Sequence, residues 1–356
     1  MKDRQKLRIG ITHGDINGIG CEVILKTLND TRIFELCTPI LYSSPKVVAY
    51  FRKALSLTSL NTVTIPSAAE AQDEKINIVN CLGDEIHVDI GKSTEAGGQA
   101  AWASLQAIVK EMKDNLLDAM VTAPINKHNI QSQQFRFQGH TEYLQSEFGK
   151  EQILMLMVSD RLRIGMLTGH IPLAEVPKTV TQSRIVESLH LLNRTMPGDF
   201  NINRPRIAVL SLNPHAGDNG VIGNEEEKII VPAIEQAKNE KILAFGPYPS
   251  DGFFGSDKYK KFDVVLAMYH DQGMTAFKTL CFENGVNYTA GLPVVRTSPA
   301  HGTAYDIAGK DIASTESFRQ AIYLACDIAK NRQRHRYLVN NAMKEADIKS
   351  LKESDN

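Results

Sequence analysis

Residues 264–309 read VVLAMYHDQGMTAFKTLCFENGVNYTAGLPVVRTSPAHGTAYDIAG. The segment opens on an apolar run of strand character that stops at a turn bearing His270 and Asp271. It then passes Lys278, Asn287 and Arg296, spaced donors suited to a phosphoryl oxyanion, and closes on a Gly/Ala loop shaped for a dinucleotide. A strand-end imidazole, an anion-binding set and a cofactor loop in one run point to an enzyme.

The same grammar extends along the chain. Short apolar runs alternate with longer amphipathic segments, the pattern of βα units on a largely parallel sheet, so the fold class is α/β. Strands are expected at 8–12, 76–79, 119–122, 153–158, 164–167, 207–212 and 264–267. After Thr94, residues Ala101, Leu105, Ile108, Met112 and Leu116 share one helical face, and 181–195 and 225–238 read similarly. No internal repeat appears, and only the Lys-, Glu- and Ser-rich tail after about Lys344 has the composition of a frayed, exposed end.

Composition narrows the function classes. A chain of 356 residues suits two compact lobes or one large α/β domain. Its formal net charge is −1 with both signs mixed throughout, so no basic face recommends nucleic acid and no polybasic segment recommends a lipid surface. Five scattered cysteines without a C-x-x-C pair argue against a disulfide scaffold and against a thiolate zinc site. The charged first residues lack the apolar core of a signal peptide, and no membrane-length apolar run follows, so a cytoplasmic protein is expected.

Two further apolar runs end as the 264–270 run does: IGMLTGH gives His170 and IAVLSLNPH gives His215. In open α/β sheets the ligand crevice lies beyond the carboxyl ends of strands, where His170, His215 and His270 can meet although distant in sequence. A lone strand-end histidine is more often a hydrogen-bonded loop residue, but three in one topological position favour Zn²⁺ or a similar divalent ion with a position left for substrate oxygen.

Other segments carry two readings each. In FQGHTEYLQ, His140 and Thr141 follow a glycine at the expected start of a helix, where free N–H groups would receive an anion and His140 could exchange a proton; equally, Thr141 could simply cap the helix. Asp251, in GPYPSDGFF, reads locally as a turn residue. The glycines of GITHGDINGIGCEVILK, Gly14, Gly18 and Gly20, miss the dinucleotide-binding spacing and are explained by tight strand-to-helix packing.

The blocks THGDINGIG, VTAPINK, GHTEYL, TGHIPLAEV, LNPHAGDNGVIGNEE, MYHDQGMTAFK and GVNYTAGLPVVRTSPAHGTAYDIAG together resemble the 4-hydroxythreonine-4-phosphate dehydrogenase family of the pyridoxal phosphate pathway, from about Arg8 to about Lys330. The resemblance implies a two-lobed isocitrate/isopropylmalate dehydrogenase-like fold with the active-site cleft between the lobes. The lobes would be 1–130 together with 290–356, carrying the cofactor loop, and 131–289, carrying metal and substrate residues and dimer contacts. It implies a homodimer with shared active sites.

Residue by residue, it places metal on His170, His215 and His270, contributed from both subunits, and substrate on His140, Thr141, Lys278, Asn287 and Arg296. It assigns proton removal to Asp251 with His140, which raises Asp251 from turn residue to candidate base. HGTAYDIAGK looks like the adenosine-binding loop of isopropylmalate dehydrogenases, which makes His301, Gly302, Thr303, Ala304 and Asp306 the cofactor residues. Asp306 would accept from ribose hydroxyls and repel a 2′-phosphate, favouring NAD, unless it caps a helix near Ile307. The metal is expected to be zinc, with cobalt, nickel or magnesium as substitutes. His13 and Asn17 stand where relatives more often carry Pro and Ala, and the C-terminus is extended.

The implied reaction is NAD-dependent, metal-dependent oxidation of 4-phosphohydroxy-L-threonine to 2-amino-3-oxo-4-phosphooxybutanoate, a β-keto acid that loses CO₂ to give 3-amino-2-oxopropyl phosphate. The nearest alternative is a 4-phospho-D-threonate or 4-phospho-D-erythronate dehydrogenase of the same family. From other classes come a metal-dependent hydrolase or aldolase and a non-catalytic phosphometabolite binder.

Overall fold

Aliphatic and β-branched runs bounded by turn residues form a single 12-stranded sheet in the computed structural model, which describes residues 6–83, 85–149 and 152–341. The strands are β1 (Leu7–Thr12), β2 (Cys37–Ser43), β3 (Thr62–Ile65), β4 (Ile76–Asn80), β5 (Ala119–Thr122), β6 (Leu154–Val158), β7 (Arg163–Met166), β8 (Ile207–Leu210), β9 (Ala244–Tyr248), β10 (Val264–Ala267), β11 (Val286–Ala290) and β12 (Arg296–Pro299). Their order is β3-β4-β2-β1-β5-β12-β11-β6-β7-β10-β8-β9. All pairings are parallel except β12–β11, β11–β6 and β6–β7, so two parallel blocks of opposite strand direction meet across an antiparallel junction. One block comes from residues 7–122 plus 296–299, and the other, with β6 and β11, from 154–290.

The pleat sends alternate side chains to opposite faces, and here both faces are buried. Ile9, Ile11, Leu41, Ile207, Val209, Val264 and Leu266 join one large core with helices Gln182–Phe200 and Glu316–Asn340. On the other face Ile40, Tyr42 and Met120 meet helix Glu95–Lys113, while Ala208, Leu210, Val265 and Ala267 meet Phe253 and Phe277. Gly10 lies where a Cβ would stand 2.7 Å from Leu117 Cδ1 and 2.8 Å from Ile108 Cδ1, so the glycine is what lets that helix sit down on β1.

All seven expected strands exist, with ends shifted by a residue or two. The helix after Thr94 is real and is capped by Thr94 Oγ1, which accepts from Gly97 N, but Leu116 lies beyond its end. The 181–195 helix starts at a Thr181 cap and runs on to Phe200. The 225–238 segment begins as a π turn, Glu226–Ile230, before the α-helix Val231–Asn239. Residues 1–5 and the tail from 342 onward, including the stretch expected to fray, lie outside the described residues. No helix among the described residues is long and apolar enough to cross a membrane.

A buried ion pair ties the elements together behind the sheet. Arg332 donates from Nε to Asp199 Oδ1 at 2.6 Å and from a terminal nitrogen to Tyr288 Oη at 2.9 Å, while Tyr288 donates to Asp199 Oδ2. The three residues belong to helix 316–340, β11 and helix 182–200. Removing one partner strands a buried charge, so Asp199→Ala is expected to cost about 3–5 kcal/mol in urea denaturation. A loss under about 1 kcal/mol would mean that the pair holds nothing.

Candidate active site

The antiparallel junction supplies the floor of the site. Asn287 of β11 pairs directly with Ser298 of β12 and with Met157 of β6, and Thr289 pairs with Met155. These residues share a face, and Arg296, two residues before Ser298, projects with them. A cavity of about 420 Å³ stands on that floor. Its walls are the 122–127 segment after β5, His140, His170 and His270 beyond β7 and β10, Met274 and Lys278 of helix His270–Cys281, and residues 299–302 after β12.

Arg296 dominates its chemistry. The side chain is 2 % exposed and its nitrogens meet only hydroxyls: Thr122 Oγ1 at 2.7 and 3.0 Å and Thr289 Oγ1 at 3.2 Å. It has no salt bridge among the described residues. Burial pushes its pKa down to about 10, with Glu142 the opposing influence. A guanidinium buried without a carboxylate is costly unless an anion arrives, and Lys278 and Lys127 line the same space without any Asp or Glu among its lining residues.

Three of the imidazoles have their pKa depressed. His140 sits at the first position of helix His140–Phe148, and burial, then Arg296 and Lys127, push its pKa well below the ordinary value. His170 is lowered by burial, Lys127 and His270, and His301 by burial. Three buried polar atoms of this wall, His140 Nε2, Asn287 Oδ1 and His301 Nε2, find no partner within the protein. Since His301 Nδ1 lies 3.0 Å from the Gly302 carbonyl it must donate there, which leaves Nε2 as a bare acceptor.

Metal and cofactor can be judged against these groups. The rings of His170 and His270 stand 5.2 Å apart, and His270 Nδ1 bonds Asp271 Oδ1 at 2.7 Å, which turns its other nitrogen outward as metal-bound histidines require. These two imidazoles fit part of a divalent-ion site, one protein ligand short of the usual three. The third histidine is elsewhere. His215 lies exposed in the Pro214–Gly220 loop, outside the cavity wall, and no group of three potential ligands forms within one chain among the described residues. Five successive residues there, His215 to Asn219, have left-handed backbone angles. Glu226 holds the strained loop by accepting from Leu212 N and Asn213 N at 2.8 and 2.7 Å. For the dinucleotide, Gly302 faces open space and His301 offers its free acceptor, a combination that fits an approaching nucleotide.

The remaining expected residues are placed as follows. Thr141 is the second helical residue behind a Gly139 cap, so it does not cap the helix, and unlike His140 it is not among the residues that line the cavity. Asp251 is exposed on the short helix Ser250–Gly255, neither in a loop nor in the cavity wall of its own chain. Asp306 is exposed within a turn, and no helix begins at Ile307 for it to cap. His13 and Asn17 are fully buried in the first strand-to-helix turn, away from the cavity wall.

Sequence reasoning missed Lys127, whose Nζ lies 3.5 Å from His170 Nε2, and the hydroxyls of Thr122 and Thr289 that seat Arg296. Lys127 follows the end of β5 much as the histidines follow theirs, and that was its signal.

Residues 35–325 match the family described as pyridoxal phosphate biosynthetic protein PdxA. A 4-hydroxythreonine-4-phosphate dehydrogenase of Bacteroides thetaiotaomicron is 51 % identical over 354 residues, covering 99 % of this chain and 97 % of the relative. A protein of Oceanobacillus iheyensis, provisionally assigned as D-threonate 4-phosphate dehydrogenase, is 36 % identical over 326 residues, 90 % of this chain and 97 % of its own length. The crystal structure of the 4-hydroxythreonine-4-phosphate dehydrogenase of Klebsiella pneumoniae superposes with a TM-score of 0.78 at 33 % identity, covering 91 % of this chain and 99 % of that one.

Proposed function

Because this chain belongs to the PdxA family of pyridoxal phosphate biosynthetic proteins, we propose that it oxidises 4-phosphohydroxy-L-threonine with NAD to 2-amino-3-oxo-4-phosphooxybutanoate, which decarboxylates to 3-amino-2-oxopropyl phosphate. It is an oxidoreductase by family and by its relatives' activity. The observation that carries the substrate class is Arg296, a buried guanidinium with only hydroxyl partners beside Lys278 and Asn287.

In this reading Arg296 and Lys278 grip the phosphate away from the reacting carbon, and Asn287 turns its amide to the same end, so the ester is oriented by charge. His170 and His270 would hold the divalent ion, which would supply Lewis acidity at the secondary alcohol, and the 301–306 loop would hold the nicotinamide cofactor, which would supply the hydride acceptor. His140, neutral and with a free Nε2, accepts the alcohol proton with Asp251 as its partner in proton removal. Thr141, at the helix N-terminus, offers its backbone and hydroxyl to the substrate.

His215 and Asp251, both exposed and outside their own chain's cavity wall, are explained if each completes the site of a second copy, with lobes divided as 1–130 plus 290–356 and 131–289. Zinc content measured per chain tests this: His215→Ala and His270→Ala should lose bound zinc to the same degree. A His215→Ala protein that keeps its zinc would exclude His215 as a ligand.

Asp306, exposed and free to meet ribose hydroxyls, favours NAD over NADP. A side-by-side assay checks it, with clear preference for NADP as the contrary result. A cytoplasmic location accords with a soluble phosphorylated substrate.

A second reading is the oxidation of 4-phospho-D-threonate or 4-phospho-D-erythronate. It is favoured by the Oceanobacillus relative and by a cavity wall without a carboxylate to pair with an ammonium group. A substrate panel with NAD decides: the proposal expects the highest kcat/KM for 4-phosphohydroxy-L-threonine, and a higher value for either sugar acid would replace it.

A further inference from the structure

The first strand-to-helix turn buries a carboxylate whose partners are all neutral. Asp15 is 1 % exposed and forms no salt bridge among the described residues. Its Oδ1 accepts from Asn17 N at 2.9 Å, and its Oδ2 accepts from Asn129 Nδ2 at 2.8 Å and from the Tyr305 hydroxyl at 2.7 Å. Tyr305 lies in the 301–309 loop, four residues after His301, and Asn129 lies two residues after Lys127. One carboxylate oxygen therefore joins the cofactor loop to the segment that forms a wall of the substrate cavity.

The loop needs such a tether. It has no regular secondary structure, and Ala304 and Gly309 take φ of 44° and 77°. A non-glycine residue in that region persists only where its surroundings fix it. Besides Asp15, the Tyr305 hydroxyl accepts from Asn129 Nδ2 at 3.4 Å, Ala304, Ile307 and Ala308 pack on the core, and Ile19 N donates to the Thr303 carbonyl at 3.0 Å. Gly18 permits that contact, since a Cβ there would stand 2.6 Å from the same oxygen. The Asp15 and Ile19 anchors come from one turn, residues 15–19, whose glycine spacing does not match a phosphate-binding loop.

We propose that Asp15 is a positioning residue for the dinucleotide: through Tyr305 it holds the 301–309 loop in its binding conformation, and through Asn129 it sets that loop against the Lys127 wall. The inference rests on the cofactor reading of the loop given above. An anchored loop has already met its ordering cost, so cutting the anchor weakens cofactor binding while leaving the phosphate end of the site untouched. Asp15 touches neither substrate nor cofactor in this account.

The test is fluorescence titration of the purified enzyme with NADH, for the wild type, Tyr305→Phe and Asp15→Asn, alongside kcat at saturating NAD and thermal stabilisation by inorganic phosphate. Tyr305→Phe removes one hydroxyl from a half-buried ring, so it retains the fold even if Asp15→Asn does not. Both variants are expected to bind NADH about tenfold more weakly, in line with loss of a hydrogen bond to a charged group. Their kcat at saturating NAD should stay within about twofold, and the phosphate stabilisation should be unchanged, a split that general loosening of the fold would not give. Wild-type NADH affinity in Tyr305→Phe overturns the tether alone. Parallel loss of kcat, phosphate response and NADH binding in that variant also overturns it, in favour of a merely structural role. A wild type that takes up no NADH overturns the cofactor reading and the tether with it.

Discussion

Arg296→Met is expected to lower kcat/KM for the phosphorylated substrate about a thousandfold while making the free protein more resistant to heat. The opposite signs come from one fact. Arg296 is buried against hydroxyls, so in the free protein its charge costs desolvation without a counterion, and methionine relieves that cost. With substrate bound, the guanidinium and the phosphate satisfy each other, and deleting one member of a buried charged pair costs about 2–5 kcal/mol. Arg296→Lys restores the charge but not the planar fork, and should recover only part of the loss. Melting curves with and without inorganic phosphate give a second check: phosphate should raise the wild-type midpoint and leave that of Arg296→Met where it was. A variant with normal kcat/KM would remove the phosphate assignment.

The next largest effect is expected at His140. A general base contributes about a hundred- to ten-thousandfold, so His140→Ala should reduce kcat by that order with the fold intact. The pH dependence has a definite sign. Burial, Arg296 and Lys127 all depress the His140 pKa below 6.5, so the neutral, proton-accepting form persists into acid and is lost only as pH falls through that lowered value. The acid limb of kcat/KM should therefore fall below 6.5 rather than at it. An acid limb at or above 6.5, or a limb unchanged in His140→Ala, would assign the titrating group elsewhere.

How far the sequence carried the fold follows from which strands it revealed. The seven strands expected from the sequence are nearly continuous aliphatic runs, whose composition alone marks them as buried strands. The strands it did not reveal, β2, β3, β9, β11 and β12, are short, polar or interrupted by proline, as at Pro39 in β2 and Pro247 in β9. In β11 and β12 the polar residues Asn287, Arg296 and Ser298 face the cavity, and the composition that lines it also hides the strands. The antiparallel junction was consequently invisible, and with it the floor of the cavity, a sheet face, although the walls stand beyond the strand ends as expected.

The site was legible in its donors more than in its geometry. His140, His170, His270, Lys278, Asn287, Arg296, His301 and Gly302 do share one cavity wall. His215 occupies the same topological position as the other strand-end histidines, but its run of left-handed residues carries it into solvent, a backbone path that spacing alone does not encode. Family membership decides for an oxidoreductase over the hydrolase, aldolase and non-catalytic binder that the histidines alone had left open.

The central claim is that this cavity presents a phosphorylated hydroxy acid to NAD for oxidation followed by loss of CO₂. Incubation of zinc-loaded enzyme with 4-phosphohydroxy-L-threonine and NAD, with NADH followed by absorbance and CO₂ collected from the same vessel, measures both halves. The account predicts NADH and CO₂ in equimolar amounts. NAD left unreduced with this substrate, in protein shown to bind it, would contradict the account.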